Sequence, residues 1–89
     1  MVQLKIYISN DCWSSDESRR IAAETQARFA EIEVVIIDLQ NAERPANVFA
    51  TPTYVLNERV ISLGNPRREV LWEQLRQMKN GSHQGGGVG

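Results

Sequence analysis

Between Ile8 and Ser18 the hydrophobic period changes, and that change restricts the fold more than any other feature of the chain. Before it, Val2, Leu4, Ile6 and Ile8 alternate with Gln3, Lys5, Tyr7 and Ser9. A period of two predicts a strand with one buried face. After it, Ser18, Ile21, Ala22, Thr25, Phe29 and Ile32 fall three or four residues apart and draw one helical stripe. Ser14 and Glu17 fit a capping box at the helix start, with Asp11 as a competing N-cap. A strand therefore feeds a helix through the stretch Asn10-Asp11-Cys12-Trp13-Ser14-Ser15-Asp16-Glu17.

The next segment is a second strand. Glu33 to Leu39 contains the branched run Val34-Val35-Ile36-Ile37, which predicts a strand buried on both faces and central in a parallel arrangement. Pro45 interrupts residues 41–50, so a short helix or an irregular loop is expected there. After Thr51-Pro52-Thr53, the runs Tyr54-Val55-Leu56 and Val60-Ile61-Ser62-Leu63 flank Asn57-Glu58 as an antiparallel hairpin would. Asn-Glu is a poorer turn pair than Asn-Gly. Gly64 ends this strand, Asn65 is a natural N-cap, and Pro66 suits a first helical position. Val70, Leu71, Leu75 and Met78 mark one face of a last helix, with Trp72 beside that stripe as a partly exposed packing residue. The adjacent Arg67 and Arg68 read as a solvated face. Asn80 and Gly81 stop the helix. The expected class is α/β: a four-stranded mixed sheet in the order β-α-β-(short α or loop)-β-β-α, flanked by helices. Residues 1–79 form the domain and residues 80–89 a Gly-rich tail expected to be disordered.

Composition narrows the function. Eighty-nine residues suggest one domain. A chain of this length buries only roughly 60% of its unfolded surface, so its core is thin. Ten basic and eleven acidic residues leave a charge of −1, which gives no bulk attraction for nucleic acid. No apolar run approaches the roughly 20 residues of a membrane helix. The first residues lack the order of a secretory signal, so the cytoplasm is the expected compartment. A single cysteine excludes a disulfide framework within the chain. With one Cys, and with His83 in the tail, no metal site is expected.

That cysteine, Cys12, sits at the strand-to-helix junction. Backbone N–H groups at a helix start favour an anion, and a thiolate is one. Asp11, Asp16 and Glu17 oppose it by like-charge repulsion, and the first cations along the chain are Arg19 and Arg20. Two readings of Cys12 follow: a reactive thiol, or an ordinary small residue at a helix start.

Tyr7-Ile8-Ser9-Asn10-Asp11-Cys12, Thr51-Pro52-Thr53 and Gly64-Asn65-Pro66, in this order and spacing, resemble the thioredoxin-like superfamily in its small, glutaredoxin-sized form over residues 2–78. The resemblance puts Cys12 at the first cysteine of the Cys-x-x-Cys motif. It implies a cis Thr51–Pro52 bond lying against Cys12, with the backbone of Thr51 open to an extended ligand and Trp13 beside it. Ser15 stands where the second cysteine would be, either bonding the Cys12 sulfur or capping the helix. Serine cannot resolve a mixed disulfide, so the implied activity is monothiol exchange. A protein or small-thiol disulfide would be the substrate, and an external thiol such as glutathione would release Cys12. No other cofactor is implied, and the chain would be a monomer or weak dimer. The glycine of the monothiol Cys-Gly-Phe-Ser motif is missing, which argues against iron–sulfur delivery. Leu4-Lys5-Ile6-Tyr7, Ile37-Asp38-Leu39 and Ala50-Thr51-Pro52-Thr53 are also similar to the circadian KaiB family. That family has the same kind of fold but binds proteins without redox chemistry, so a non-catalytic adaptor is the alternative.

Overall fold

The structure, a computed structural model, describes residues 2–9, 13–40, 45–46, 48 and 50–81, with the backbone alone at residues 13 and 79–81. Six elements follow one another: β1 (Gln3–Ile8), α1 (Trp13–Arg28), β2 (Glu33–Asp38), β3 (Thr53–Leu56), β4 (Arg59–Leu63) and α2 (Arg68–Gly81). The four strands form one mixed sheet in the order β2-β1-β3-β4. β1 pairs parallel with β2, Leu4 opposite Val34, and antiparallel with β3, Leu4 opposite Leu56.

The strand predicted to be central is therefore an edge. β1 takes the middle, between β2 and β3. The branched run in β2 misled because its side chains do serve two layers. Val34 and Ile36 pack against the main core, while Ile37 joins a smaller cluster on the other face. Its backbone nevertheless lies at the rim, and five of its six residues are only partly buried.

Both helices pack on one face of the sheet. Leu4, Ile6 and Ile8 of β1 meet Ile21 and Ala22 of α1 and Leu71 and Leu75 of α2 in a single cluster that includes Tyr54 and Leu56. The helical stripe read from the sequence is all buried, Ser18 to Ile32. In α2 the buried face is Leu71 and Leu75, flanked by Trp72 and Met78, while Val70 is 49% exposed. One residue is about 100° of helix, so Val70 turns outward and Trp72 turns toward α1. There the Trp72 indole N–H donates to Thr25 Oγ1 at 3.0 Å, and the Arg28 guanidinium lies 4.5 Å from the ring centre. The opposite face carries Tyr7, Val55 and the buried Val48. Residues 41–44, 47 and 49, where a short helix or loop was expected, lie outside the described residues, as does the tail at 82–89. Asn80 and Gly81, assigned to the tail, are the last residues of α2.

The hairpin forms where predicted. Asn57 (φ 48°) and Glu58 (φ 71°) both take the left-handed conformation of a type I′ turn. Asn57 is also tied to β1: its N–H donates to the Gln3 carbonyl and its Oδ1 accepts from the Gln3 N–H, each at 2.9 Å. A bulge in β4 shifts the register between Tyr54, opposite Ser62, and Val55, opposite Val60. Among the described residues no helix is long and apolar enough to cross a membrane.

Candidate functional site

The carboxyl end of β1, the first turns of α1 and the approach to β3 converge at Ser9. Ser9 is the residue after β1, and α1 begins at Trp13, so Ser14 lies inside the first turn and is not its N-cap. Ser15, 5% exposed, donates its hydroxyl proton back to the Ser9 carbonyl. The Ser9 hydroxyl shares a hydrogen bond with the Thr51 hydroxyl at 3.0 Å. Beyond Thr51 the Thr51–Pro52 peptide is cis, and the Thr53 hydroxyl donates to the Ala50 carbonyl. The Pro52 carbonyl accepts the Gly64 N–H at 2.7 Å, which brings the end of β4 to the same place. Gly64 holds a φ of +97°, a backbone state that costs glycine little and other residues much.

Three of the five predicted site residues thus meet. Ser15 and Thr51 are joined through Ser9, and the buried Pro52 follows Thr51. Cys12 and the Trp13 side chain lie outside the described residues. So does the expected contact between Cys12 and the Pro52 loop, and so does the competing cap Asp11. A hydroxyl has one proton, and the one on Ser15 goes to Ser9. Ser15 can therefore accept a hydrogen bond, but in this arrangement it does not donate one to a sulfur.

Sequence reasoning missed Ser9, Ser18, Tyr54 and Asn65. Asn65, a natural N-cap by residue type, does not cap the last helix. The first helical hydrogen bond of α2 instead runs from the Leu71 N–H to the Arg67 carbonyl, at 3.0 Å. The Asn65 amide turns the other way, under α1. Its Nδ2 donates to the Ser14 carbonyl at 2.9 Å, and its Oδ1 accepts from Ser18 at 2.6 Å and from the Tyr54 hydroxyl at 2.8 Å. Tyr54 and Ser18 are fully buried. Burial pushes the Tyr54 hydroxyl up to about 12, so it stays a donor at ordinary pH.

The charges also differ from the sequence picture. Glu17 is not folded back as half of a capping box. Its carboxylate binds Arg68 at 2.9 Å and Arg20 at 2.8 Å. These partners, Arg68 first, hold its carboxyl below the usual range and offset its repulsion on any nearby anion. Arg68 also pairs with Glu24, so it is part of a helix-to-helix clamp and not of a solvated face.

No family profile matches the sequence, and no curated protein does. Solved structures do match. Thioredoxin-2, a component of the malaria parasite protein secretion machinery, superposes with a TM-score of 0.74 at 16% identity, over 86% of this chain and 82% of that one. The germline-specific thioredoxin Deadhead of the fruit fly Drosophila melanogaster gives 0.69 at 14% identity, over 85% and 79%. Mitochondrial thioredoxin 3 of Saccharomyces cerevisiae gives 0.69 at 14% identity, over 85% and 77%. Sheet order, helix placement and these superpositions together make the chain a domain of thioredoxin-like fold.

Proposed function

We propose that this chain carries out monothiol thiol–disulfide exchange through Cys12. The observation that supports it best is the bonding of Ser15 and Thr51 to one residue, Ser9, which draws the start of α1 to the cis Thr51–Pro52 turn. The likeness to solved thioredoxins agrees with a redox role.

In the first step the Cys12 thiolate attacks a protein or small-molecule disulfide. A Cys12 S–S bond forms, the substrate S–S bond breaks, and one half leaves as a thiolate. In the second step an external thiolate, such as that of glutathione, attacks the mixed disulfide. Cys12 leaves as thiolate, and the external thiol is left joined to the other half of the substrate. Cys12 ends as it began, and no second cysteine is needed. Trp13, Thr51 and Pro52 would flank an extended substrate in a reducing, cytoplasmic setting, and Ser15 would hold the turn.

One observation favours the adaptor reading: the Ser15 proton is donated to a backbone carbonyl, as it would be in a purely structural turn. The pH dependence of Cys12 alkylation in native protein separates the two. An exchange protein reacts while folded. A Cys12 that resists at about pH 8, near the free thiol value, and reacts only on unfolding makes the chain a KaiB-like adaptor.

A further inference from the structure

β2 ends the sheet, and among the described residues no strand pairs with its outer side. That side carries the backbone groups of Val34, Ile36 and Asp38, because Glu33 and Leu39 turn theirs to β1. The Val34 N–H is engaged by Gln26 Oε1 at 3.1 Å. The side chains alternate. Val34 and Ile36 pack toward the helices, whereas Ile37 and Leu39 join the cluster on the other face, which Val35 shares by its position.

A rim strand can be met by its own copy across a two-fold axis, antiparallel and edge to edge. Opposite residues must then both turn outward, which leaves few registers. Those that pair Val34 need the amide that Gln26 holds. They also set the Glu33 carboxylate against Ile37 or Leu39 when Val34 meets Ile36 or Asp38. Pairing Asp38 with Asp38 sets like charges face to face, which is unfavourable. Pairing Ile36 with Asp38 of the second copy avoids all of this.

In that register Ile36 and Asp38 exchange backbone bonds at two symmetric places. Ile37 lies on the axis against its own copy, with Val35 against Leu39 on either side. This stripe is apolar throughout, and each of its residues is only partly buried in the single chain. On the helix face, Asp38 of one copy comes beside Ile36 of the other. There the exposed Arg19 lines a groove with Ala22, Ala23 and Ile36. Asp38 Oδ1 accepts the Gln40 N–H at 2.9 Å, which leaves Oδ2 for that guanidinium. Charge complementarity of this kind fixes register.

We propose that β2 is the interface of a homodimer, in which Ile36 pairs antiparallel with Asp38 of a second copy and Arg19 meets that Asp38. The two sheets become one, with both helix layers on the same face. The contact is short and falls below the roughly 1,200 Å² of stable interfaces, so the dissociation constant should be on the order of 100 μM. Nothing in it depends on Cys12, so it stands or falls apart from the exchange reading.

The test is sedimentation equilibrium of the full chain from roughly 10 μM to 1 mM, with amide exchange followed by NMR. The mass should rise from one copy toward two and stop there, because a two-fold contact uses up both edges. The Ile36 and Asp38 amides should gain protection with concentration, and the Val34 amide should not change. Arg19→Asp and Asp38→Arg should each weaken association about tenfold, and the double variant should recover most of the loss. Ile37→Lys puts two ammonium groups on the axis and should abolish the dimer while circular dichroism stays that of wild type. If that variant unfolds, the two surface charge reversals and their double variant decide alone. Wild type of one-copy mass throughout leaves the rim to a different chain and overturns the proposal. Growth beyond two copies does so too, because β2 then meets another surface. Dimers that persist in folded Ile37→Lys, or that the charge reversals neither weaken singly nor restore together, place the contact elsewhere and also overturn it.

Discussion

Arg68 reaches from the first turn of α2 to Glu17 of α1, with 2.9 Å between Nη1 and the carboxylate. The same guanidinium takes Glu24 two turns further along α1. One cation thus bridges two carboxylates and locks the crossing of the helices. Bidentate pairing to Glu24 gives the clamp direction, which a lysine would not.

Acid should loosen this clamp. Arg68 is the main reason that the carboxyls of both Glu17 and Glu24 titrate below the usual range and stay ionised further into acid. A depressed carboxyl contributes stability that is present above its unfolded value and is lost as pH falls through the folded one. Urea midpoints measured below about pH 4.5 should therefore fall with pH more steeply in wild type than in Arg68→Gln, whose curve is flatter and starts lower. Added salt should narrow the gap, because these groups face solvent.

At the alkaline end Tyr54 should dominate. Its folded value is raised from 10 to about 12, chiefly by burial. A group whose folded value is raised contributes stability that is full below its unfolded value and is lost as pH rises toward the folded one. Wild-type stability should decline from about pH 10 upward. Tyr54→Phe should be about 1 kcal/mol less stable at neutral pH, for the lost bond to Asn65, and should lack that alkaline decline. Denaturant titrations across the range measure both effects.

Turnover should depend on one sulfur. Cys12→Ser should abolish any disulfide exchange, measured with a mixed-disulfide substrate and external glutathione. Ser15→Ala should weaken exchange only a few-fold, because it removes about 1 kcal/mol of bonding to the Ser9 carbonyl and not a reacting group.

The hairpin offers a gain. Glu58 holds a φ of 71° at a turn position that asks for glycine. Left-handed backbone costs a residue with a Cβ roughly 1–2 kcal/mol, partly returned by the freedom that glycine has when unfolded. Glu58→Gly should raise the melting temperature by a few degrees in calorimetry.

Much of this architecture was legible in the sequence, because period and turn chemistry are local. The alternation of Val2 to Ile8 and the Asn57-Glu58 turn became the elements they suggested, and the stripe from Ser18 to Thr25 became the buried face of α1, while Phe29 and Ile32 are buried just beyond its end. Strand order was not legible. Val34 to Ile37 and Leu4 to Ile8 compete for the centre, and only pairing partners decide between them. The supports of the site were hidden for a related reason. Asn65 and Tyr54 each had a sufficient local role, as helix cap and as strand residue. They bond to each other, and Asn65 also bonds to Ser14 and Ser18, which lie 51 and 47 positions away along the chain. The thioredoxin-like motifs placed Thr51, Pro52 and Ser15 in one neighbourhood but gave no sign that Ser9 joins them.

The rim position of β2 also bears on how crowded solutions of this protein behave. Glu33 and Leu39 direct their N–H groups toward β1, so those of Val34, Ile36 and Asp38 point away from the sheet. A branched strand at the rim of a sheet is a template on which another chain can stack. Gln26 covers the first of these places. Its Oε1 accepts the Val34 N–H at 3.1 Å, while its Nε2 is held by the carbonyls of Ile32 and Phe29. Gln26→Ala should leave the chain folded but uncover the start of the strand, and light scattering at rising concentration should show it gathering into aggregates before wild type does. A single exposed glutamine of α1 thus closes off the first outward amide of β2, at the end where the strand begins.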